Sequence, residues 1–271
     1  MRDMFKYQEH EVNDALSPFI KKLWILNNAD NHLAVLNKSI LPNGCFNIAI
    51  IEGIGFTVRH NERIDVLGAG VYFCGQSTYV VSIDAFPFSK ATMVQLYPWT
   101  PVHFTSQELS PYTNMVSLLE LQKENNTSIL NVSDTEDINK FLDKLAGCFA
   151  TFYNPAKASR LITNSTEMIV KSKGNANVKE IATAIGCSQR HLQKIFKKHI
   201  GISPKEFIMI IKLRETIELI AHPEHIDRSL TNLSLDNNYY DQAHFNNTFR
   251  AITNTSPEKF FTDDYLLSLK K

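Results

Sequence analysis

The chain has 271 residues, 44% of them hydrophobic and 21% charged, which is ordinary globular composition with room for one large domain or two smaller ones. No run reaches the roughly 18–20 apolar residues that span a bilayer, and Met1-Arg2-Asp3-Met4-Phe5-Lys6 leads into no apolar stretch. Neither a membrane span nor a secretory leader is therefore expected, and a cytoplasmic address is. Cys45, Cys74, Cys148 and Cys187 form no CxxC pair and read as reduced, mostly buried thiols.

The first part reads as β. Residues 45–51, 55–59, 71–74, 79–83 and 91–97 are short runs rich in Ile, Val, Phe and Tyr. Pro42-Asn43-Gly44, His60-Asn61-Glu62, Gly68-Ala69-Gly70, Phe86-Pro87 and Pro98 break them, as expected of a barrel or sandwich. A helix is expected around 111–123, from Met115, Leu118, Leu119 and Leu121. Ser133-Asp134-Thr135-Glu136 fits a capping box ahead of Ile138, Phe141, Leu142, Leu145 and Phe149 at helical spacing. These two helices have apolar faces that suit either dimerisation or packing on the β part. Asn154-Pro155 is the best break between domains. From there to about 262 the chain reads as helix with short turns.

The formal net charge is zero, but it is unevenly spread: residues 1–156 hold 11 Lys+Arg and 16 Asp+Glu, and residues 157–271 hold 17 and 12. Within 188–214 lie Arg190, Lys194, Lys197, Lys198, Lys205, Lys212 and Arg214, against Glu206 alone. Such a concentration suits a polyanion, although charged helix faces are often only solvated.

The last third contains a repeat. Ile181, Ala182 and Gly186 match Leu233, Ser234 and Asn238 at an offset of 52. Leu192, Phe196, Gly201, Ser203, Pro204 and Phe207 match Phe245, Phe249, Asn254, Ser256, Pro257 and Phe260 at an offset of 53. One inserted residue explains the step, and repetition means one supersecondary unit built twice. Each copy reads as a helix, a turn at a residue that tolerates left-handed φ (Gly186, Asn238), and a second helix capped by Ser188 or Asp241. Its Leu192/Phe196 or Phe245/Phe249 pair faces a core. Ser203-Pro204 and Ser256-Pro257 begin the next helix with Pro at its first position. This is a helix-turn-helix made twice. The helix from Pro204 to about Ile220 would join the units, with Phe207, Ile208, Ile211, Leu213, Ile217 and Ile220 offering apolar surface to both.

The pattern Ile-Ala-x3-Gly-x-Ser-x-Arg-x-Leu, closing on Gly201-Ile202-Ser203-Pro204, resembles the first unit of the AraC/XylS family of bacterial regulators. Asn238-Tyr239-Tyr240-Asp241-Gln242-Ala243-His244-Phe245 is similar to that family's second-unit signature, Gly-Tyr-x-Asp-Gln-Ser-His-Phe. The resemblance covers roughly 157–262. Ser234 for the usual Ala, Asn238 and Asn254 for Gly, Lys212 for Arg and Thr216 for Ala are departures, and Asn247 stands where a basic residue is common. Leu41-Pro42-Asn43-Gly44-Cys45-Phe46-Asn47-Ile48 and Gln95-Leu96-Tyr97-Pro98-Trp99-Thr100-Pro101 more faintly resemble the loosely cupin-like N-terminal domains of some such regulators.

The resemblance implies a multidomain α+β protein. A β-barrel or sandwich-like sensing domain with C-terminal helices would occupy 1–154 (β part about 1–105, helices about 106–152). An all-α DNA-binding domain of two helix-turn-helix units on a long helix would follow at 157–262, then a tail at 263–271. The function implied is a sequence-specific DNA-binding transcription regulator, not an enzyme. In such proteins the second helix of each unit enters a major groove. That makes Gln189, Arg190, Gln193 and Lys194 candidates for base edges, and Ser188, Lys197 and Lys198 for phosphates. In the second unit the candidates are Gln242, Ala243, His244, Asn246, Asn247 and Arg250, with a capping or structural hydrogen bond the alternative for His244. The implied partners are promoter DNA, a small-molecule effector in the N-terminal domain, a second copy of the chain and, for an activator, RNA polymerase; no cofactor is implied.

Against that stand an enzyme with an appended DNA-binding domain and a protein-interaction module on degenerate helix-turn-helix units. No Ser/His/Asp, Cys/His or paired-carboxylate set supports the first, and the basic 190–198 face argues against the second. Cys45 lacks the flanking basic residues that would make its thiol reactive. The isolated His32, His60 and His103 make a poor metal site. The aromatic residues of the N-terminal part fill a core or line a ligand cavity.

Overall fold

The computed structural model describes residues 6–61, 63–119, 130–221, 239, 241–260 and 265. Its first half holds strands β1 (Lys6–His10), β2 (Ile20–Asn28), β3 (Val35–Ile40), β4 (Phe46–Gly53), β5 (Phe56–His60), β6 (Arg63–Leu67), β7 (Gly70–Cys74), β8 (Val81–Ala85), β9 (Ser89–Leu96) and β10 (Val116–Leu118). They form two antiparallel sheets, ordered β1-β2-β9-β4-β7-β10 and β3-β8-β5-β6. The result is a sandwich, not a closed barrel.

Both faces of the six-stranded sheet are covered. Trp24, Leu26, Ala49 and Ile51 meet Phe56, Val58, Val81 and Ile83 of the four-stranded sheet in one apolar cluster. Leu23, Ile25, Ile48, Ile50 and Val94 point the other way, onto helix α1 (Ile138–Phe152), which contributes Phe141, Leu142, Leu145 and Cys148. Two-sided burial explains why Leu23–Leu26 and Ile48–Ile51 are continuous apolar runs, not alternating ones. It also decides between the two uses of the α1 face: the helix packs on the β part.

Two expectations are corrected. Residues 111–119 are not helical: a single 3-10 turn (Ser110–Tyr112) is followed by Asn114 at φ 58° and by β10, which pairs with β7 through Val116↔Cys74. Pro111, the left-handed Asn114 and an open sheet edge override the helical spacing of the apolar residues, of which Leu121 lies outside the described residues. The capping box is also displaced. Asn131 and Asp134 cap a 3-10 turn over Val132–Glu136, and α1 starts one turn later, where the Asp137 carboxylate accepts from the Asn139 and Lys140 amides.

The second half is helical: α2 (Ser159–Lys171), α3 (Val178–Ala184), α4 (Gln189–His199), α5 (Pro204–Ala221) and α6 (Gln242–Thr253). The halves are closely joined. The Asn154 and Ala156 amides donate to the His103 and Val102 carbonyls, both at 2.9 Å. Leu109 donates to the Lys198 carbonyl at 2.7 Å, and the Thr113 hydroxyl to the Gly201 carbonyl at 2.9 Å. Val80 donates to the Ile252 carbonyl at 2.6 Å. The β part thus holds the C-terminal end of α4 and that of α6.

Candidate nucleic-acid interface

The first unit is built by local rules. Asn177 caps α3, accepting from the Glu180 amide at 2.9 Å while the Glu180 carboxylate accepts from Asn177 at 3.1 Å. The helix ends at Gly186, whose φ of +70° is a conformation that favours glycine, although open space surrounds the position. Ser188 then caps α4, its hydroxyl accepting from the His191 amide at 3.1 Å. Leu192, Ile195, Phe196 and His199 face inward onto Ile162, Ile169, Ile181 and Phe207. Gln189, Arg190, Gln193, Lys194, Lys197 and Lys198 are exposed, and α4 carries no acidic residue. The structure therefore puts the expected base-reading side chains on one outward, cationic face.

Two of the phosphate candidates already have work inside the protein. Ser188 is the cap just described, and Lys197 Nζ donates to the Gly201 carbonyl at 3.1 Å. His199 was missed. It lies one position beyond the Lys197-Lys198 pair, yet it is buried, and burial together with the Lys198 charge holds its pKa below the usual histidine range. Its signal was positional: residues 192, 195, 196 and 199 make one helix face.

The second unit follows the same plan where it is described. Leu233, Ser234, Leu235, Asn238 and Tyr240 lie outside the described residues. Asp241 caps α6, accepting from the His244 amide at 2.7 Å. Asn254 ends the helix at φ 59°, the left-handed conformation that the repeat assigned to it. Phe245 and Phe249 are fully buried; Gln242, Ala243, His244, Asn247 and Arg250 are exposed and Asn246 is half-buried. The His244 ring sits 5.8 Å from the Tyr239 ring, which favours a structural part for this histidine. Ser256-Pro257 opens only a 3-10 turn, Pro257–Lys259.

One helix joins the units. The Ser203 hydroxyl accepts from the Glu206 amide at 3.2 Å, and the Glu206 carboxylate from Ser203 at 2.7 Å, a capping box around Pro204. Phe207, Ile210 and Ile211 of α5 belong to the core of the first unit. Leu213 and Ile217 belong to that of the second, with Tyr239, Phe245 and Phe249. Lys212 lies over the Tyr239 ring at 5.3 Å. At about 1.5 Å per residue, this 18-residue helix is about 27 Å long.

Two of the thiols of the β half are inert by environment. Burial pushes Cys45 up and Cys74 up to about 12. Among the described residues no group of three His, Cys, Asp or Glu could hold a metal, and no helix is long and apolar enough to cross a membrane.

One capped helix pair, and the capped second helix of its repeat, pack on a shared helix and define helix-turn-helix architecture. A helix-turn-helix domain model matches residues 181–263, and a model for a domain of unknown function (DUF6597) matches 8–117. The chain is 22% identical over 153 residues to the Msm operon regulatory protein of Streptococcus mutans, covering 55% of this chain and 54% of that protein. It is 29% identical over 72 residues to the lactose operon transcription activator of Staphylococcus xylosus, covering 27% and 25%. The chain thus spans about half the length of the first relative. Among solved structures it is similar to ToxT of Vibrio cholerae, at 10% identity and a TM-score of 0.47, over 93% of this chain and 97% of that one. The helix-turn-helix match and the operon regulators that the chain resembles agree with the AraC/XylS likeness of the sequence.

Proposed function

We propose that this protein is a sequence-specific DNA-binding transcription regulator. The observation that carries the reading is α4: its apolar side is locked into a core while Gln189, Arg190, Gln193 and Lys194 stand exposed on an acid-free face. Arg190 suits guanine O6 and N7, Gln193 suits adenine, and Lys194 adds a further donor. Lys198, with Ser188 and Lys197 if their internal bonds are exchanged, neutralises phosphates. In α6, Gln242, Ala243, Asn246 and Asn247 face the second groove and Arg250 reaches the backbone, while exposed His244, beside the Tyr239 ring, serves as a phosphate contact or a structural partner. The DNA-binding domain runs 157–262 and residues 1–154 form the regulatory domain, which takes a small-molecule effector. A second copy of the chain and, for an activator, RNA polymerase complete the partners. Any dimer uses a surface other than the inner face of α1, which is already buried.

The test is selection of genomic DNA fragments by the purified chain at two salt concentrations, beside an Arg190→Ala/Lys194→Ala double variant. A short enriched motif that the variant does not retain, with binding that weakens as salt rises, is the expected result. Absence of any retention by folded protein at low salt overturns the reading.

A further inference from the structure

Between the two sheets lies a cavity of about 120 Å³. Its two ends differ. The chain crosses from one sheet to the other through Gly53–Gly55, so Ile51 of β4 and Phe56 of β5 share one end, with Leu26, Leu67 and Ala91 also in the wall. Strands β4 and β5 then lead to the opposite end, where Asn47 and His60 face the space; Asn47 pairs with Gln95, which also lines it. One end is therefore wholly apolar and the other carries amide and imidazole groups.

The polar end has spare hydrogen-bonding capacity. Neither nitrogen of the His60 ring has a hydrogen-bond partner among the described residues, although the residue is only 4% exposed. The Asn47 carbonyl oxygen and the Trp24 indole N–H, both at the same cavity, are also without one. Burial lowers the pKa of His60, so its ring is neutral at pH 7 and offers one donor and one acceptor. Groups this deeply buried are normally satisfied. Among the described residues no Lys, Arg, Asp or Glu lines the cavity, so a charged guest would find no counter-charge there. An apolar cavity of about 150 Å³ accommodates benzene, which sets the size class at about one ring.

The polar end is also the end that touches the DNA-binding half. Leu41, Pro42, Asn43 and Cys45 line the cavity, and Gly44 between them is pressed on α5: a Cβ there would lie 2.8 Å from Phe207 and 2.9 Å from Ile211. Gln76 fixes this segment by donating to the Gly44 carbonyl at 2.9 Å. Leu41 itself belongs to the cluster of Leu213, Ile217, Phe245 and Phe249. One layer of chain thus separates the cavity from the helix that spaces the two units.

We propose that the inter-sheet cavity binds a small uncharged molecule of about one ring with a single hydroxyl- or amide-like head at His60 and Asn47, and that residues 41–45 relay its presence to α5. The proposal rests on the regulatory reading of residues 1–154 and gives that reading a site and a chemical class.

The experiment titrates the full chain with benzyl alcohol, toluene and benzoate, following the melting midpoint and then the affinity for a selected DNA fragment. Benzyl alcohol is expected to give a saturable rise of about 3 °C at ten times its Kd, toluene a smaller one and benzoate none. Ala49→Leu, which fills the cavity, abolishes the rise. His60→Leu removes the preference for benzyl alcohol over toluene, a readout that does not depend on the first variant folding. Bound benzyl alcohol shifts DNA affinity at least threefold. No saturable rise with benzyl alcohol, an equal rise with benzoate, or binding that survives Ala49→Leu in folded protein overturns the site. Saturation with no change in DNA affinity overturns the relay. A chain that binds benzyl alcohol but never retains DNA sinks the regulator reading and leaves the site standing.

Discussion

The two helix-turn-helix units share a blueprint and differ in their surfaces. Each has a capped second helix with two large apolar residues four apart, Leu192/Phe196 in one and Phe245/Phe249 in the other, all fully buried. The outward face of α4 carries Arg190, Lys194, Lys197 and Lys198; that of α6 carries Gln242, Asn246 and Asn247, with Arg250 as its one cation. The inner face is held by packing, which leaves little freedom, while the outer face is free to differ between the units. On the proposed reading, the first unit would supply affinity through charge and the second neutral hydrogen bonding.

The largest break in that comparison comes from the inner faces. Phe196→Ala and Phe249→Ala each leave a large buried hole and are expected to destabilise the chain by about 3–5 kcal/mol, equally in the two units, as urea melts would register. Outer-face changes should be unequal. Arg190→Ala is expected to weaken DNA binding by about 1–3 kcal/mol at fixed salt, with Asn247→Ala weaker than that; equal losses in an anisotropy titration would remove the division of labour. Smaller again is the cap. Ser188→Ala and Asp241→Ala should each lower stability by about 1 kcal/mol, and Gly at the same positions should recover most of it. Lys198→Ala should reduce the slope of log affinity against log salt by about 1.

A pH series sharpens the contrast in direction. The His199 pKa is lowered in the folded chain, so the protonated ring is favoured in the unfolded one. The stability tied to a neutral His199 is present above the unfolded value near 6.5 and is lost as pH falls through the lower folded value. Hydrogen exchange should show the 178–203 region losing protection relative to α6 on acidification. Uniform opening of both units would contradict it.

Much of the helical half was legible because its residues obey local rules. Gly186 and Asn254 take positive φ, Ser188 and Asp241 cap, and Ser203-Pro204 starts a helix, all properties of a few neighbouring residues. His199 escaped because a residue next to two lysines looks solvated until the helix is turned and its fourth face position counted. The β half was less legible. Strands β1, β2, β3 and β6 were not anticipated. In β2 the run Leu23–Leu26 follows two lysines and faces two different cores, so it shows no alternation. The spacing of Met115, Leu118 and Leu119 imitates a helix, and only the vacant edge of β7 turns that segment into a strand. Contacts between the halves, such as Val80 with Ile252 or Leu109 with Lys198, join residues about ninety or more positions apart. No local pattern announces them, and the polar end of the inter-sheet cavity depends on the same long-range closure.

The shared helix α5 also sets an angular phase. Phe207, Ile210 and Ile211 serve one core and Leu213 and Ile217 the other, so the boundary between them is a single residue, Lys212. An inserted residue at that point would rotate one half of the pair by about 100° and advance it by about 1.5 Å. Seven inserted residues, about two turns, would come within about 20° of restoring the facing, and would then displace the second unit by about 10 Å. In the proposed regulator the distance between the two reading helices can therefore change only in quantised steps. Operator spacing in descendants of this chain should be as rigid as the helix that measures it.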